Sequence, residues 1–313
     1  MLHIFVNLKR FEVSRKLGGV CSSESPKDWI ESVVSECNGS NAAATKDLEL
    51  VFLLPEALIL PAVSKLTAHR NIGIGCQGVY REDIRPGANF GAFTTNLPAT
   101  AAKAIGCQWA LIGHSEERKD KLGIIAEFLS SSPSGTPVPE TASYTVSRII
   151  NKEVLRALEA GLDVLVCVGE SAEERGTGNV EEQQGRVKAV LKKQIELSLA
   201  DTKKFVGTRR IILAYEPIWA IGPGKTPPGP EYISFVASYI KEATLKLFGS
   251  ELPVVYGGGL KEENAASICS IPVVSGGLVA LTRFTGEIGF YPTDLQKIIA
   301  AALSSRTSAA QTN

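Results

Sequence analysis

The 313-residue sequence has no excess of charge of either sign. Lysine and arginine together number 33, and aspartate and glutamate together also number 33. A protein whose main partner is a nucleic acid usually carries a basic surface that neutralises phosphates, and no such excess is present here. The charge balance therefore argues against nucleic acid as a partner.

Long hydrophobic runs are also missing. Although 44% of the residues are hydrophobic, no run reaches the roughly 18 residues that are needed to span a bilayer. The N-terminal segment, MLHIFVNLKRF, is too short for a signal peptide and meets charged residues too early. We therefore expect a cytoplasmic protein that does not bind a membrane.

The sequence contains no CxxC pair. Its six cysteines are scattered, and several of them, such as Cys76 and Cys167, lie in apolar runs that are typical of strands. This usage is typical of reduced, buried thiols in a cytosolic protein. Three histidines are too few for a convincing metal cluster, so we expect no metal site.

The sequence does contain a regular alternation of short apolar runs with helical patterns. The apolar runs predict eight strands, at 2–6, 50–54, 72–76, 109–112, 164–168, 211–215, 254–256 and 273–274. Eight β-then-α units in about 250 structured residues favour an α/β fold, a single (β/α)8 barrel. The alternative is a doubly wound open sheet, but the GxGxxG motif that would favour it after the first strand is absent.

The sequence shows no domain boundary, so the barrel is predicted to cover residues 1–303. Residues 128–145 are rich in Ser, Pro and Thr and lack a periodic apolar face. This composition predicts a surface insertion near 120–145. The polar residues 304–313 are predicted to form a flexible tail.

The stretch Arg210–Lys225, RIILAYEPIWAIGPGK, has the pattern of a catalytic segment. An apolar strand ends directly at Glu216, and Pro217 then removes a backbone donor and stops the strand. A short apolar loop follows, bounded by Pro217 and by the glycines at 222 and 224. This pattern is typical of a base beneath a lid that excludes water. A salt-bridged glutamate beside a packed loop is the alternative.

The carboxyl ends of the strands of a barrel all open on one face, so reactive groups placed there can converge. These ends supply Asn7, Lys9, His114 and Glu216. Glu216 could remove a proton from a carbon next to a carbonyl, and His114 and Lys9 could stabilise the negative oxygen that results. Taken alone, Lys9 could be a surface lysine and His114 a structural histidine. Four such placements together are harder to explain in that way.

Glycines follow the other strand ends and would expose backbone N–H groups. The loops after the last two strands of a barrel commonly bind phosphate. We therefore expect four glycines to bind a substrate phosphate, namely Gly222, Gly259, Gly276 and Gly277. The same glycines could instead form simple turns.

Four motifs, AYEPIWAIGPGK, IGHSEERK, VCVGES and YGGGL, stand in an order and spacing that resemble the triosephosphate isomerase family. The resemblance runs from Val6 to about Leu303. It implies a homodimeric barrel that interconverts dihydroxyacetone phosphate and D-glyceraldehyde 3-phosphate through an enediolate, in glycolysis and gluconeogenesis, without a cofactor. It further implies that Glu216 is the base and His114 the electrophile, while Asn7 and Lys9 bind the substrate beneath a lid.

Several positions depart from the family's pattern. Leu8 replaces a tryptophan, Gly259 replaces a serine, and Asn96 replaces a glutamate that supports the arginine matching Arg118. The ending after the eighth strand, VSGGLVALTRF, is also unusual. Two alternatives therefore stay open, namely an isomerase of a tetrulose (erythrulose) phosphate and a non-catalytic paralogue.

The long loop 77–96 carries two aromatic residues, Phe90 and Phe93. A loop of this length inside a compact domain usually has a function of its own. We expect it to dock into a neighbouring subunit of a symmetric homodimer.

Overall fold

Eight parallel strands close into a barrel in a computed structural model that describes residues 1–39, 45–67, 71–130, 141–222 and 224–311. Each strand pairs with the next, and the last pairs with the first. The strands are β1 (Leu2–Asn7), β2 (Leu48–Leu54), β3 (Ile72–Cys76), β4 (Trp109–Ile112), β5 (Asp163–Val168), β6 (Ile211–Tyr215), β7 (Val254–Tyr256) and β8 (Gly276–Val279). The predicted (β/α)8 barrel is confirmed.

Ten α-helices in the described residues surround the barrel. They are α1 (Pro26–Asn38), α2 (Glu56–Ser64), α3 (Ala99–Ala104), α4 (Ser115–Ser130), α5 (Thr141–Glu159), α6 (Ala172–Arg175), α7 (Val180–Ser198), α8 (Pro230–Phe248), α9 (Glu262–Cys269) and α10 (Pro292–Gln311). None of the helices in the described part of the chain is both long enough and apolar enough to cross a membrane.

Local sequence signals explain several helix ends. The Ser25 hydroxyl accepts the Asp28 N–H, and Pro26 occupies the first turn of α1, where its missing N–H costs nothing. Ser171 and Asn179 form reciprocal capping boxes at the starts of α6 and α7. Two separate helices therefore form on either side of residues 176–179.

Two layers of apolar side chains form the core. The barrel interior is filled from facing strands, and the outer layer packs the other strand face against the helices. The interior residues are Phe5, Val51, Leu53, Trp109, Leu111, Leu165, Cys167, Ile212, Ala214, Val255 and Leu278. All six cysteines are buried.

An ion cluster lies at the amino-terminal end of the barrel strands. Arg210 contacts Glu49 at 2.6 Å and Asp163 at 2.7 Å, and His3 Nδ1 lies 2.9 Å from Glu49 Oε2. The Arg210 guanidinium also stacks 4.6 Å from the centre of the Trp109 ring. These contacts cover the end of the barrel opposite the predicted site.

The eighth strand differs from its prediction. The sequence places it at 273–274, but β8 covers Gly276–Val279, so the two glycines open the strand rather than follow it. An added Cβ at Gly276 would lie 1.8 Å from the His3 carbonyl oxygen. Glycine is therefore required where β8 closes against β1, because no side chain fits between the two backbones.

Helices extend into two other segments, the predicted insertion and the predicted tail. Helix α4 continues to Ser130 and α5 begins at Thr141, so helices occupy both edges of the predicted insertion near 120–145. Residues 131–140 lie outside the described residues. Helix α10 continues to Gln311, into the predicted tail.

Candidate active site

A chain of polar contacts at the carboxyl ends of the strands connects three of the predicted residues. Lys9 Nζ lies 2.6 Å from Glu116 Oε1, and the Glu116 N–H donates to His114 Nδ1 at 3.3 Å. His114 Nε2 lies 3.2 Å from Glu216 Oε1. The structure therefore brings Lys9, His114 and Glu216 together, as the sequence predicts.

Asn7 fixes the backbone that carries Lys9. Its Oδ1 accepts the Lys9 N–H at 3.0 Å, and Lys9 has a φ of 41°, which is uncommon for a residue with a side chain. Gln77, which directly follows β3, donates through Nε2 to Asn7 Oδ1 and to the Lys9 carbonyl, both at 3.1 Å. Strand-end position could have identified Gln77, but the sequence analysis missed it.

The contacts of His114 define its tautomer. Nδ1 accepts a backbone N–H, so it carries no proton, and the proton of the neutral ring lies on Nε2. Nε2 is the nitrogen that faces Glu216. The ring can therefore donate a hydrogen bond into the barrel mouth without carrying a charge.

Glu216 is 3% exposed, and both of its carboxylate oxygens are engaged. Oε2 accepts the Ser115 N–H at 3.0 Å, and Oε1 accepts the Ser115 hydroxyl at 3.1 Å. These bonds hold the carboxylate beside His114 although it lies away from solvent. Sequence reasoning missed Ser115, because a serine that follows a histidine carries no distinctive signal.

A buried carboxylate holds the loop that follows Glu216. Glu170 Oε1 accepts the Trp219 indole N–H at 2.7 Å and the hydroxyls of Tyr215 at 2.9 Å and Tyr232 at 3.0 Å. Burial raises the pKa of Glu170, although the hydrogen bonds oppose this effect. The Arg175 guanidinium lies 4.1 Å from the centre of the Trp219 ring on the same loop.

Two of the four predicted glycines lie in loops at the barrel mouth. Gly222 has a φ of 118° and Gly259 a φ of 92°, and a Cβ at either position would meet no atom within 4 Å. Their backbones therefore border open space after β6 and β7.

Gly276 and Gly277 are not brought to the mouth. Both are buried inside β8, where they pair with His3 and Ile4 of β1, and a Cβ at Gly277 would lie 2.8 Å from Leu260 Cδ2. The expected placement of these two glycines in a loop after the eighth strand is wrong, because their backbones belong to the sheet.

The structure shows the surroundings of two positions that depart from the family's pattern, Leu8 and Asn96, and of Arg118, which the family's glutamate at position 96 would support. Leu8 is fully buried in the core. Arg118 bonds within its own chain, since its guanidinium donates to the carbonyls of Gly113 and Cys167 at 2.8 and 2.9 Å. The Asn96 side chain donates to the Thr95 hydroxyl.

Metal-ligating side chains are not clustered in the part of the chain that the structure describes. No group of three or more His, Cys, Asp or Glu residues there could hold a metal ion. At the barrel mouth Glu216 contacts His114 and Ser115 directly, and Lys9 contacts Glu116, whose N–H donates to His114.

The family model for triosephosphate isomerase matches residues 24–290 of the chain. The chain belongs to the triosephosphate isomerase family. Triosephosphate isomerase from Bordetella pertussis is 33% identical over 255 residues, which cover 82% of this chain and 86% of that protein. Triosephosphate isomerase from Chloroherpeton thalassium is 30% identical over 262 residues, which cover 80% of this chain and 89% of that protein.

The fold also matches a solved member of the triosephosphate isomerase family. The crystal structure of triosephosphate isomerase from Bartonella henselae superposes with a TM-score of 0.63 at 23% identity. The match covers 96% of this chain and 98% of that one. At this identity the likeness shows the shared barrel fold.

Proposed function

We propose that the chain is an aldose–ketose isomerase that interconverts dihydroxyacetone phosphate and D-glyceraldehyde 3-phosphate without a cofactor. The observation that carries this proposal is the buried Glu216 carboxylate beside the Nε2 of a neutral His114, with the Lys9 ammonium joined to them through Glu116. The predicted cytoplasmic location and the role in glycolysis and gluconeogenesis are proposed with this reaction.

Proton transfer would use each of these groups in turn. Glu216 removes a proton from the hydroxymethyl carbon, and the electron pair moves toward the neighbouring carbonyl oxygen. The His114 Nε2–H and the Lys9 ammonium stabilise the negative charge on that oxygen in the enediolate. His114 Nε2 passes a proton to the former carbonyl oxygen and receives the proton of the hydroxyl on the first carbon. Glu216 then returns its proton to the former carbonyl carbon, and the electron pair left on the first oxygen forms the aldehyde carbonyl.

Substrate binding would have to rearrange two resting contacts. The Glu216 carboxylate exchanges its bonds to Ser115 for a position over the substrate carbon. The lid Pro217–Lys225 closes over the site, and Trp219 leaves Glu170 as it does so. Closure excludes water, which strengthens the electrostatic interactions inside the site.

A side-by-side measurement of kcat/KM for triose and tetrulose phosphates tests the proposed reaction. We expect the triose phosphates to be preferred, and proton transfer to cease when His114 and Glu216 are both replaced. A preference for the tetrulose phosphate would favour that isomerase instead. An inactive wild-type protein would favour the non-catalytic paralogue.

We further propose that Asn7 and Lys9 bind the substrate, and that Lys9 and the backbone N–H groups of Gly222 and Gly259 hold its phosphate. Replacing Gly259 with alanine should weaken inhibition by inorganic phosphate about 10- to 100-fold. The added Cβ would obstruct the approach of phosphate to the backbone N–H, and losing a bond to a charged group costs about 1.5–3 kcal/mol. The matched control is Gly249→Ala at the end of α8, where φ is 80° and a Cβ also meets no atom within 4 Å. Equal phosphate inhibition in both variants would exclude Gly259 from the phosphate site.

We also propose that loop 77–96 docks into a second copy of the chain in a homodimer. Phe90 is 85% exposed on this loop, which is unusual for a large apolar side chain. Replacing Phe90 with aspartate should shift the protein toward monomer in light scattering at micromolar concentration. The control is Val180→Asp, since Val180 is 69% exposed at the start of α7. A monomeric wild-type protein with full activity would contradict the proposal.

A further inference from the structure

Gly113, the residue that immediately precedes His114, has both of its backbone polar groups bonded to charged side chains. The Gly113 N–H donates to Glu117 Oε2 at 2.6 Å, and the Gly113 carbonyl accepts from Arg118 Nε at 2.8 Å. Both charged residues belong to the first turn of α4. A carboxylate and a guanidinium therefore fix the two peptide groups on either side of the Gly113 Cα through charge-assisted bonds.

Gly113 itself leaves little freedom at this point. Its φ of 76° favours glycine, and an added Cβ would lie 3.0 Å from Arg118 Nη2 and 3.2 Å from the Cys167 carbonyl. The Gly113 carbonyl carbon is bonded to the His114 nitrogen, so the conformation of Gly113 sets the orientation of the His114 backbone. The contacts on both sides of Gly113 therefore help to place the His114 imidazole.

Arg118 anchors the peptide to the rest of the barrel. Its guanidinium also donates to the Cys167 carbonyl at 2.9 Å, to Ser147 Oγ at 3.2 Å and to Ser198 Oγ at 3.3 Å. One side chain thus joins the end of β4 to β5, α5 and α7. The Gly113 carbonyl is therefore fixed to the rest of the barrel through Arg118.

The Gly113 N–H, which belongs to the preceding peptide group, depends on a second layer of charge. Lys121 Nζ bonds to Glu117 Oε1 and lies 3.0 Å from Glu153 Oε1 on α5. The side chains of Lys121 and Glu117 are about one-fifth exposed, and that of Glu153 is 6% exposed. Glu117 therefore accepts the Gly113 N–H on Oε2 and the Lys121 ammonium on Oε1.

Glu153 shows the signs of a carboxyl group that keeps its proton. Its Oε2 is buried and finds no partner among the described residues, whereas a protonated oxygen there could donate to Glu117. Burial, followed by the nearby negative charge of Glu117, raises the pKa of Glu153 to about 9. The pKa of Glu117 is lowered by its bonds to Glu153, Lys121 and Gly113, against the effect of burial.

We infer that Glu117 is a positioning residue for His114 and that Lys121 and Glu153 hold it in place. This inference rests on the proposed isomerase function, because it concerns the placement of the group that stabilises the enediolate. Misplacement of a catalytic group by about 1 Å can cost about 10²-fold in rate. The loss should appear in kcat rather than in KM, because the charge that His114 meets develops in the transition state.

Two substitutions at Glu117 test this inference. Glu117→Leu removes the acceptor of the Gly113 N–H, and we expect kcat to fall about 10- to 100-fold with KM within about twofold of wild type. Glu117→Gln keeps an acceptor oxygen and should recover most of the loss. The control is Glu127→Leu, on an exposed face of the same helix.

The pH profile gives a second test that does not need the leucine variant to fold. The charged groups that act on Glu153 are Glu117 and Lys121, both on α4. Glu153 is neutral below its raised pKa and ionises above about 9, which places a second negative charge beside Glu117. Wild-type kcat should therefore be maintained below that pH and fall above it. Glu153→Gln keeps a hydrogen-bond donor and cannot ionise. The ratio of kcat at pH 10 to kcat at pH 8 should therefore be several-fold higher in Glu153→Gln than in wild type.

The outcomes separate this inference from the proposed function. Wild-type kcat in Glu117→Leu, or the same decline above pH 9 in wild type and Glu153→Gln, would overturn the inference while leaving the isomerase intact. If the wild-type protein has no isomerase activity, the proposed function fails and amide exchange decides the inference. The Gly113 amide should then exchange at least 10-fold faster in Glu117→Leu than in wild type or Glu127→Leu, and equal rates would overturn it.

Discussion

Replacing Glu216 with aspartate is expected to lower kcat by about 10²-fold while KM stays within about twofold of wild type. Aspartate keeps the carboxylate but retracts it by one methylene, roughly 1 Å, and a misplacement on that scale costs about this much. Glu216 is 3% exposed and its oxygens are held by Ser115 and His114, so the backbone cannot readily follow the shorter side chain.

Steady-state kinetics with a triose phosphate measures this effect. The control is Glu251→Asp, the same change at an exposed residue between α8 and β7, which should retain wild-type kcat. Turnover by Glu216→Asp at the wild-type rate would remove Glu216 from the role of base.

Replacing Gly276 with alanine should prevent the barrel from closing. The added Cβ would lie 1.8 Å from the His3 carbonyl oxygen and 2.7 Å from its carbon, both backbone atoms of β1. Because neither strand can move without breaking the β1–β8 ladder, we expect destabilisation above about 4 kcal/mol. The variant should be largely insoluble or should unfold at much lower urea concentration than wild type.

A matched glycine separates this clash from a general effect of alanine. Gly185 lies inside α7, and a Cβ there meets no atom within 4 Å. Gly185→Ala should raise the free energy of unfolding by about 0.5–1 kcal/mol, because alanine favours a helix. Stability of Gly276→Ala close to wild type would show that β8 does not approach β1 as closely as described.

The sequence predicts the barrel, and the position of four polar residues at its mouth, because both depend on short patterns. Alternating apolar runs predict the eight units, and residues at the carboxyl ends of strands converge by geometry. That rule identifies Asn7, Lys9, His114 and Glu216. It does not identify Ser115, which reaches Glu216 only because α4 begins at that residue and turns its N–H toward the carboxylate.

Glycine is where prediction from sequence fails. A Gly-Gly pair after an apolar run is typical of a turn, yet Gly276 and Gly277 open β8. The reason is a long-range one, since the space beside Gly276 is taken by His3, which is 273 positions earlier in the chain. No local pattern carries that information.

The same limit applies to the support of His114. Glu117 and Lys121 look like a solvated ion pair in the sequence, four residues apart on a helix. Their contact with Glu153 depends on how α4 packs against α5, and no local pattern in the sequence specifies that packing. Side chains that act through tertiary contacts therefore stay invisible until the helices are placed.

Conversion of dihydroxyacetone phosphate in D2O tests the central claim most directly. If Glu216 transfers the proton and exchanges it with solvent, the glyceraldehyde 3-phosphate that forms should carry deuterium at carbon 2, as read by mass spectrometry. The Glu216→Gln variant, which has no base, should form neither product nor exchanged substrate. Absence of product from the wild-type protein, or deuterium incorporation by Glu216→Gln at the wild-type rate, would contradict an isomerase that uses Glu216 as its base.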